Sequence, residues 1–251
     1  MTSPVVTRLL KSNRSVVQHI ETNAERLDEK LKALLKPHLR SGEKMPDFAL
    51  GLTLMGRLLA AEGGELAAAD EANEAEKLDD PALLRALEDA NESLYKATTR
   101  AREMLAGAFT SKALASLGFK GDTPRSPDTL VRFATNVLAA LDSHTLTPVD
   151  DGASVDVKKL VKRLEPARDK VHALAGDALR EARELQQTQA ARNSAIERAV
   201  EAFNGVAGAA SALLDLVGET ALAERTRPSA RRSGVTQTEE EDPPVDPTPT
   251  A

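Results

Sequence analysis

The four histidines are the residues most suited to metal or acid-base chemistry, and their spacing argues against a metal site. A carboxylate-bridged di-metal bundle needs Glu-x-x-His on each of two helices and a Glu on two others. Asp169 and His172 have this spacing, with Asp in place of Glu, but no acidic residue lies three positions before His19, His38 or His144. We expect no bound metal, and a metal-binding bundle around Asp169 and His172 is the weakest functional alternative.

Motifs for covalent catalysis and phosphate binding are also missing from the sequence. The chain has no Cys, which excludes thiolate metal sites and Cys nucleophiles. It contains neither Gly-x-Ser-x-Gly nor His-Glu-x-x-His. Gly63-Gly64 stands among acidic residues, where a phosphate would be repelled. We therefore expect no catalytic residues, no cofactor-binding residues, no cofactor and no enzymatic activity.

Asn13 is a polar residue within an otherwise apolar helical seam. The seam follows alternating spacings of four and three through Val6, Leu10, Asn13, Val17, Ile20, Ala24, Leu27, Leu31 and Leu34. In coiled coils, a buried Asn sets the register or the oligomeric state at a cost in stability. Asn13 is therefore a candidate register-setting or interface residue, and the alternative is that it faces solvent.

A short basic patch lies near the end of the chain, at Arg225, Arg227, Arg231 and Arg232. Four Arg residues in eight are weak support for nucleic-acid binding, because few aromatic residues stand nearby to stack on bases. The net charge of the chain is −6, without the basic surplus of a nucleic-acid-binding protein. We expect no nucleic-acid partner, and favour pairing of this patch with the acidic run at 239–242.

The elements that must position these residues are helices. The chain has 41 Ala and 34 Leu but only two Ile, and aromatic residues are 2% of the total. Ala and Leu favour helices, whereas β-branched and aromatic residues favour strands. The composition predicts an all-α antiparallel bundle of about five to six long helices with heptad-like seams, followed by a disordered, acidic, Pro-rich C-terminal tail.

Capping residues and proline predict where the helices begin and end. The predicted helices are 4–36, 47–78, 81–117, 127–142, 154–187 and 194–224. A polar segment at 186–193 predicts a turn, and the alternative is one continuous helix to about residue 224, roughly 90 Å long.

These elements group into four predicted regions. Residues 1–118 form an N-terminal three-helix segment, and 119–153 contain loops and a short helix. Residues 154–226 form a helical hairpin that packs with the rest as one bundle, although division into two bundles stays open. Residues 227–251 form the disordered tail, and we expect deletion of 234–251 to leave the melting temperature nearly unchanged.

The segment 48–59 is apolar on nearly all sides, which predicts a central position in the bundle. It is shorter than the roughly 20 residues that span a bilayer. The N-terminus lacks a basic region followed by an apolar one, so we expect a cytoplasmic protein. Abundant Ala and Arg with scarce Ile are typical of a GC-rich bacterial genome.

These features favour a non-enzymatic helical-bundle protein that acts through protein–protein interaction, as a scaffold, an adaptor or an assembly subunit. Its expected partners are proteins, including a second copy of itself. The alternative is a membrane-active or lipid-binding helical protein that inserts the apolar segment 48–59.

Overall fold

A computed structural model describes residues 3–143 and 155–238 and confirms the all-α prediction. The six helices of this part are α1 (Pro4–Leu35), α2 (Phe48–Ala106), α3 (Ser111–Ser116), α4 (Pro127–Ser143), α5 (Val157–Leu216) and α6 (Thr220–Thr226). A turn of 3-10 helix at Lys36–His38 follows α1.

Helix α1 begins and ends where the capping pattern predicts. The Ser3 hydroxyl oxygen accepts a hydrogen bond from the Val6 amide at 3.3 Å, and Pro4 occupies the first helical position. The helix ends at Leu35, two residues before Pro37. The predicted helix over 4–36 is thus confirmed to within one residue.

Helix α2 joins two of the predicted helices, 47–78 and 81–117, into one helix of 59 residues with Pro81 inside it. A proline inside a helix costs about 3 kcal/mol because it lacks an amide donor and crowds the preceding turn. Among the described side chains the nearest buried ones are Asn73 and Ala90, so packing next to the proline does not explain why the helix continues. Helix α2 ends at Ala106, and Thr110 caps the separate helix α3.

Helix α5 shows that the predicted hairpin over 154–226 is wrong. A single helix of 60 residues passes through the polar segment 186–193, as in the alternative interpretation, and ends at Leu216. That segment contains neither Gly nor Pro, and Gln, Ala and Arg have high helix propensity. Polarity alone therefore does not interrupt the helix.

The chain divides into two compact units that do not follow the predicted regions. Unit 1 consists of residues 1–75 and 187–251, and unit 2 of residues 76–186. Each has its own core. The largest fully buried side chains are Val6, Val16, Leu31, Leu59, Leu66 and Phe203 in unit 1, and Leu94, Leu105, Leu117, Leu130, Val137 and Leu164 in unit 2.

The sequence predicts that the disordered tail begins at residue 227, but the structure describes an ordered segment from there to residue 238. The Ser229 amide donates to the Val235 carbonyl at 2.8 Å, and the Gln237 amide donates to the Arg227 carbonyl at 2.9 Å. Val235 is buried, and a Cβ atom built on Gly234 would lie 2.1 Å from Leu9 Cδ2. This turn packs on α1, so the tail boundary moves beyond residue 238. The predicted disorder of 239–251 lies outside the described residues.

Candidate interaction surface

Helix α2 is held at its start by an acidic residue of α1. Asp28 Oδ1 accepts hydrogen bonds from the amides of Phe48 at 3.0 Å and Ala49 at 3.3 Å. Asp28 Oδ2 accepts one from Lys32 Nζ at 2.6 Å. This Lys32 bond is the main reason that the pKa of Asp28 is lowered, and the two amides lower it further against the opposing effect of burial. The Asp28 carboxylate thus caps the first turn of α2 and ties it to α1.

The outward face of α2 carries a ladder of three half-exposed leucines. Leu50, Leu54 and Leu58 are 52%, 51% and 51% exposed, whereas Leu52 and Leu59 are buried. A spacing of four residues places the three exposed leucines on one side of the helix. The prediction that segment 48–59 lies in the centre of the bundle is therefore wrong for this side.

The exposed face continues beyond the leucines with small residues. We call this surface, in unit 1, the α2 outer face, formed by Leu50, Leu54, Leu58, Ala61, Gly64, Ala68 and Ala72 together with the charged residues Arg57 and Glu65; all nine are exposed. A contiguous exposed apolar patch of this kind is typical of interaction sites.

A groove between α1 and α2 adjoins this face, and Asn13 is among the residues that line it. The groove has a volume of about 370 Å³, and its apolar lining includes Leu10, Val17 and Ala67. Asn13 is buried, and neither its Oδ1 nor its Nδ2 atom has a hydrogen-bond partner within residues 3–143 and 155–238. Asn13 therefore lies in the buried seam, and its register-setting or interface role stays a prediction.

A buried ion pair that the sequence patterns did not predict ties the start of α1 to α2 and α5. Arg192 Nε lies 2.7 Å from Asp70 Oδ1, and the Asp70 side chain is fully buried. Asp70 Oδ2 accepts a bond from the Ser3 amide at 2.9 Å, and Arg192 Nη2 donates to the Ser3 hydroxyl at 2.7 Å. The signal was present, because Asp70 continues the spacing of the buried residues Leu59, Gly63 and Leu66.

The four arginines of the basic patch have different surroundings. Arg227 pairs with Asp215 of α5, whereas Arg225, Arg231 and Arg232 are exposed. The amides of Arg231 and Arg232 donate to the hydroxyl oxygen of the turn residue Ser229. The acidic run at 239–242, the partner expected from the sequence, lies outside the described residues.

Asp169 and His172, the residues of the weakest functional alternative, lie on the surface of α5. Arg168 Nε donates to the Asp169 carboxylate at 2.9 Å, and His172 is exposed. The structure instead brings ligand atoms of Glu76, Glu181 and Glu184 within 4.8 Å of one another in unit 2. Arg180 Nε lies 4.0 Å from the Glu184 carboxylate and offers it a positive charge without a metal ion.

Membrane-spanning helices and known relatives were both sought for this chain. In the part of the chain that the structure describes, no helix has an apolar stretch long enough to cross a bilayer. Comparison with protein-family models, curated proteins and solved structures finds no match for this chain. Fold and surface define it as an all-α protein that exposes an apolar helix face, and the comparisons place it in no family.

Proposed function

We propose that this protein is a non-enzymatic helical-bundle protein that binds other protein chains through the α2 outer face, as a scaffold, an adaptor or an assembly subunit. The observation that carries the proposal is the ladder of half-exposed leucines at positions 50, 54 and 58. Leucines at i, i+4 and i+8 on a preformed helix are the kind of anchors by which helices dock against protein surfaces.

The three exposed leucines leave apolar area that a partner can bury. Full burial of a leucine side chain contributes about 1.5–3 kcal/mol. Leu50, Leu54 and Leu58 each keep about half of their area in water. The cap by Asp28 orders this part of α2 before binding, which reduces the entropy that a partner must offset.

Site-specific photocrosslinking in cells that express the protein naturally tests this proposal. A photoreactive amino acid replaces Leu54 in one variant and the exposed loop residue Asp122 of unit 2 in a control. We expect covalent polypeptide adducts from position 54 and none from position 122. The absence of adducts at position 54, or equal adducts at both positions, would contradict the proposal.

Lipid binding by the segment 48–59 is the second candidate, because the three exposed leucines all lie in this segment. The charged residues near these leucines make lipid binding less favourable than protein binding. The exposed Asp47 and Glu65 flank the ladder, and these carboxylates are repelled by anionic headgroups. Co-sedimentation with phosphatidylcholine vesicles, with and without phosphatidylserine, tests it. Binding that is lost in Leu54→Glu would support insertion, and no binding to either vesicle removes this candidate.

A further inference from the structure

We infer that the partner of the α2 outer face is a second copy of this chain, with the two α2 helices packed antiparallel about a twofold axis at Ala61. This inference rests on the proposed function and names its partner. In such an arrangement each residue faces the one that is equally far from Ala61 on the other side.

The sizes of the side chains on the α2 outer face are complementary under this symmetry. Leu58 faces Gly64 of the second copy, Leu54 faces Ala68, and Leu50 faces Ala72. Every large side chain thus meets a small one, so that the leucines fill the space that the small residues leave open. A Cβ atom built on Gly64 would meet no atom within 4 Å, which shows that this space is open in the single chain.

The two charges on the face are complementary under the same symmetry. Arg57 and Glu65 lie four residues on either side of Ala61, so Arg57 of each copy faces Glu65 of the other. Glu65 is 63% exposed, and its Oε2 atom accepts a bond from Arg198 of its own chain at 2.6 Å. A parallel arrangement would instead place like charges together, Arg57 on Arg57 and Glu65 on Glu65.

The length of the matched surface is sufficient for a helix pair. From Leu50 to Ala72 the helix rises about 33 Å at 1.5 Å per residue. The whole stretch belongs to unit 1 and pairs with itself over its full length. The small side chain of Ala61 at the twofold axis allows the two helix axes to approach closely, and both ends of the stretch are apolar.

Charge reversal on the full-length protein tests the pairing by sedimentation velocity across a concentration series. Arg57→Glu alone and Glu65→Arg alone each convert two attractive contacts into two repulsive ones, and we expect either to weaken dimerisation at least about tenfold. The double variant restores the attraction, and so does an equimolar mixture of the two single variants. Arg198→Gln controls for the Arg198 contact that Glu65→Arg also removes, and we expect it to dimerise like the parent.

The absence of cysteine allows the register to be tested by disulfide formation. In an antiparallel pair centred on Ala61, Ala61→Cys forms a disulfide-linked dimer under mild oxidation. Ala72→Cys does not, because its two copies lie about 33 Å apart. Efficient cross-linking at both positions would mean a parallel pair and would overturn the inferred arrangement, as would the absence of cross-linking at position 61.

The outcomes of these experiments test the second-copy inference separately from the proposed function. A monomeric protein that forms adducts with a different polypeptide at position 54 overturns the second-copy inference and leaves the proposed function standing. A monomer with no adducts overturns both. A dimer whose stability is the same in the parent and in all charge variants overturns the assignment of the α2 outer face.

Discussion

At the residue scale, the side-chain amide of Asn13 is buried without a hydrogen-bond partner among the described residues, and local packing does not explain why a polar group stands there. Leaving a buried polar group without a partner costs about 1–3 kcal/mol. Nδ2 of Asn13 lies 3.4 Å from the position that a Cβ atom on Gly63 would occupy, so α2 covers the amide closely. The seam spacing left open whether Asn13 is buried or faces solvent, and it could not show that no partner among the described residues reaches the amide.

Asn13→Leu should raise the stability of the protein. Leu has nearly the same branched shape as Asn and replaces an unpaired amide with apolar contacts, so we expect the free energy of unfolding to rise by about 1–2 kcal/mol. Urea denaturation measures the change. Asn23→Leu is the matched control and should not be stabilising, because Asn23 Nδ2 donates to the His19 carbonyl at 2.8 Å. An unchanged midpoint for Asn13→Leu would mean that water reaches the amide.

The buried Asp70–Arg192 pair should be sensitive to the loss of one partner. Arg192→Met leaves the fully buried Asp70 carboxylate without its counter-charge, and we expect a loss of about 3–5 kcal/mol in unfolding free energy. Arg198→Met is the control, since Arg198 is half exposed and pairs with Glu62 and Glu65 at the surface. Equal stability of the two variants, measured by thermal unfolding, would show that the buried pair contributes nothing beyond a surface one.

At the element scale, the sequence predicts helix starts well and helix interruptions poorly. Ser3 and Pro4 fix the start of α1, and Ser126 and Pro127 fix that of α4. The signal at Pro81 is of the same kind, yet α2 continues through it. Capping signals describe a local preference, and the rest of the fold can override such a preference.

The cap that Asp28 places on α2 predicts a dependence of stability on acid pH. The pKa of Asp28 in the folded protein lies below its ordinary value of 3.8, mainly because Lys32 donates to the carboxylate. A lowered pKa means that the charged cap stabilises the fold fully above the unfolded pKa. This contribution is lost as the pH falls through the lower folded value.

Asp28→Asn should therefore be less stable than the parent at pH 7, and the difference should shrink as the pH falls below about 3.8. Chemical denaturation of both proteins between pH 7 and pH 2.5 measures it. The exposed Asp122→Asn should follow the parent over the whole range. A difference between Asp28→Asn and the parent that is independent of pH would assign the effect to packing and not to charge.

At the scale of the whole molecule, the division into units depends on which seams face one another. Helices α2 and α5 each contribute residues to both units, so a division of the chain by sequence order fails. Heptad seams rich in Leu and Ala are nearly interchangeable, and their pattern does not specify a partner helix. For the same reason the sequence singled out 48–59 as an unusual apolar segment, but could not tell that Leu50, Leu54 and Leu58 point outward.

The composition of the segment after α6 indicated that it buries little, whereas the structure packs this segment against α1. Val235 is only 3% exposed, and Gly234 with its φ of +76° packs against Leu9 of α1. Deletion of 234–251 removes this contact and the two backbone hydrogen bonds of the turn, so we expect a loss of about 2 kcal/mol in unfolding free energy. A chain that ends at Thr238 keeps the turn and should retain that contribution, as measured by thermal unfolding. Equal melting temperatures for the two truncations would mean that the turn adds nothing to stability and that the composition-based expectation was right.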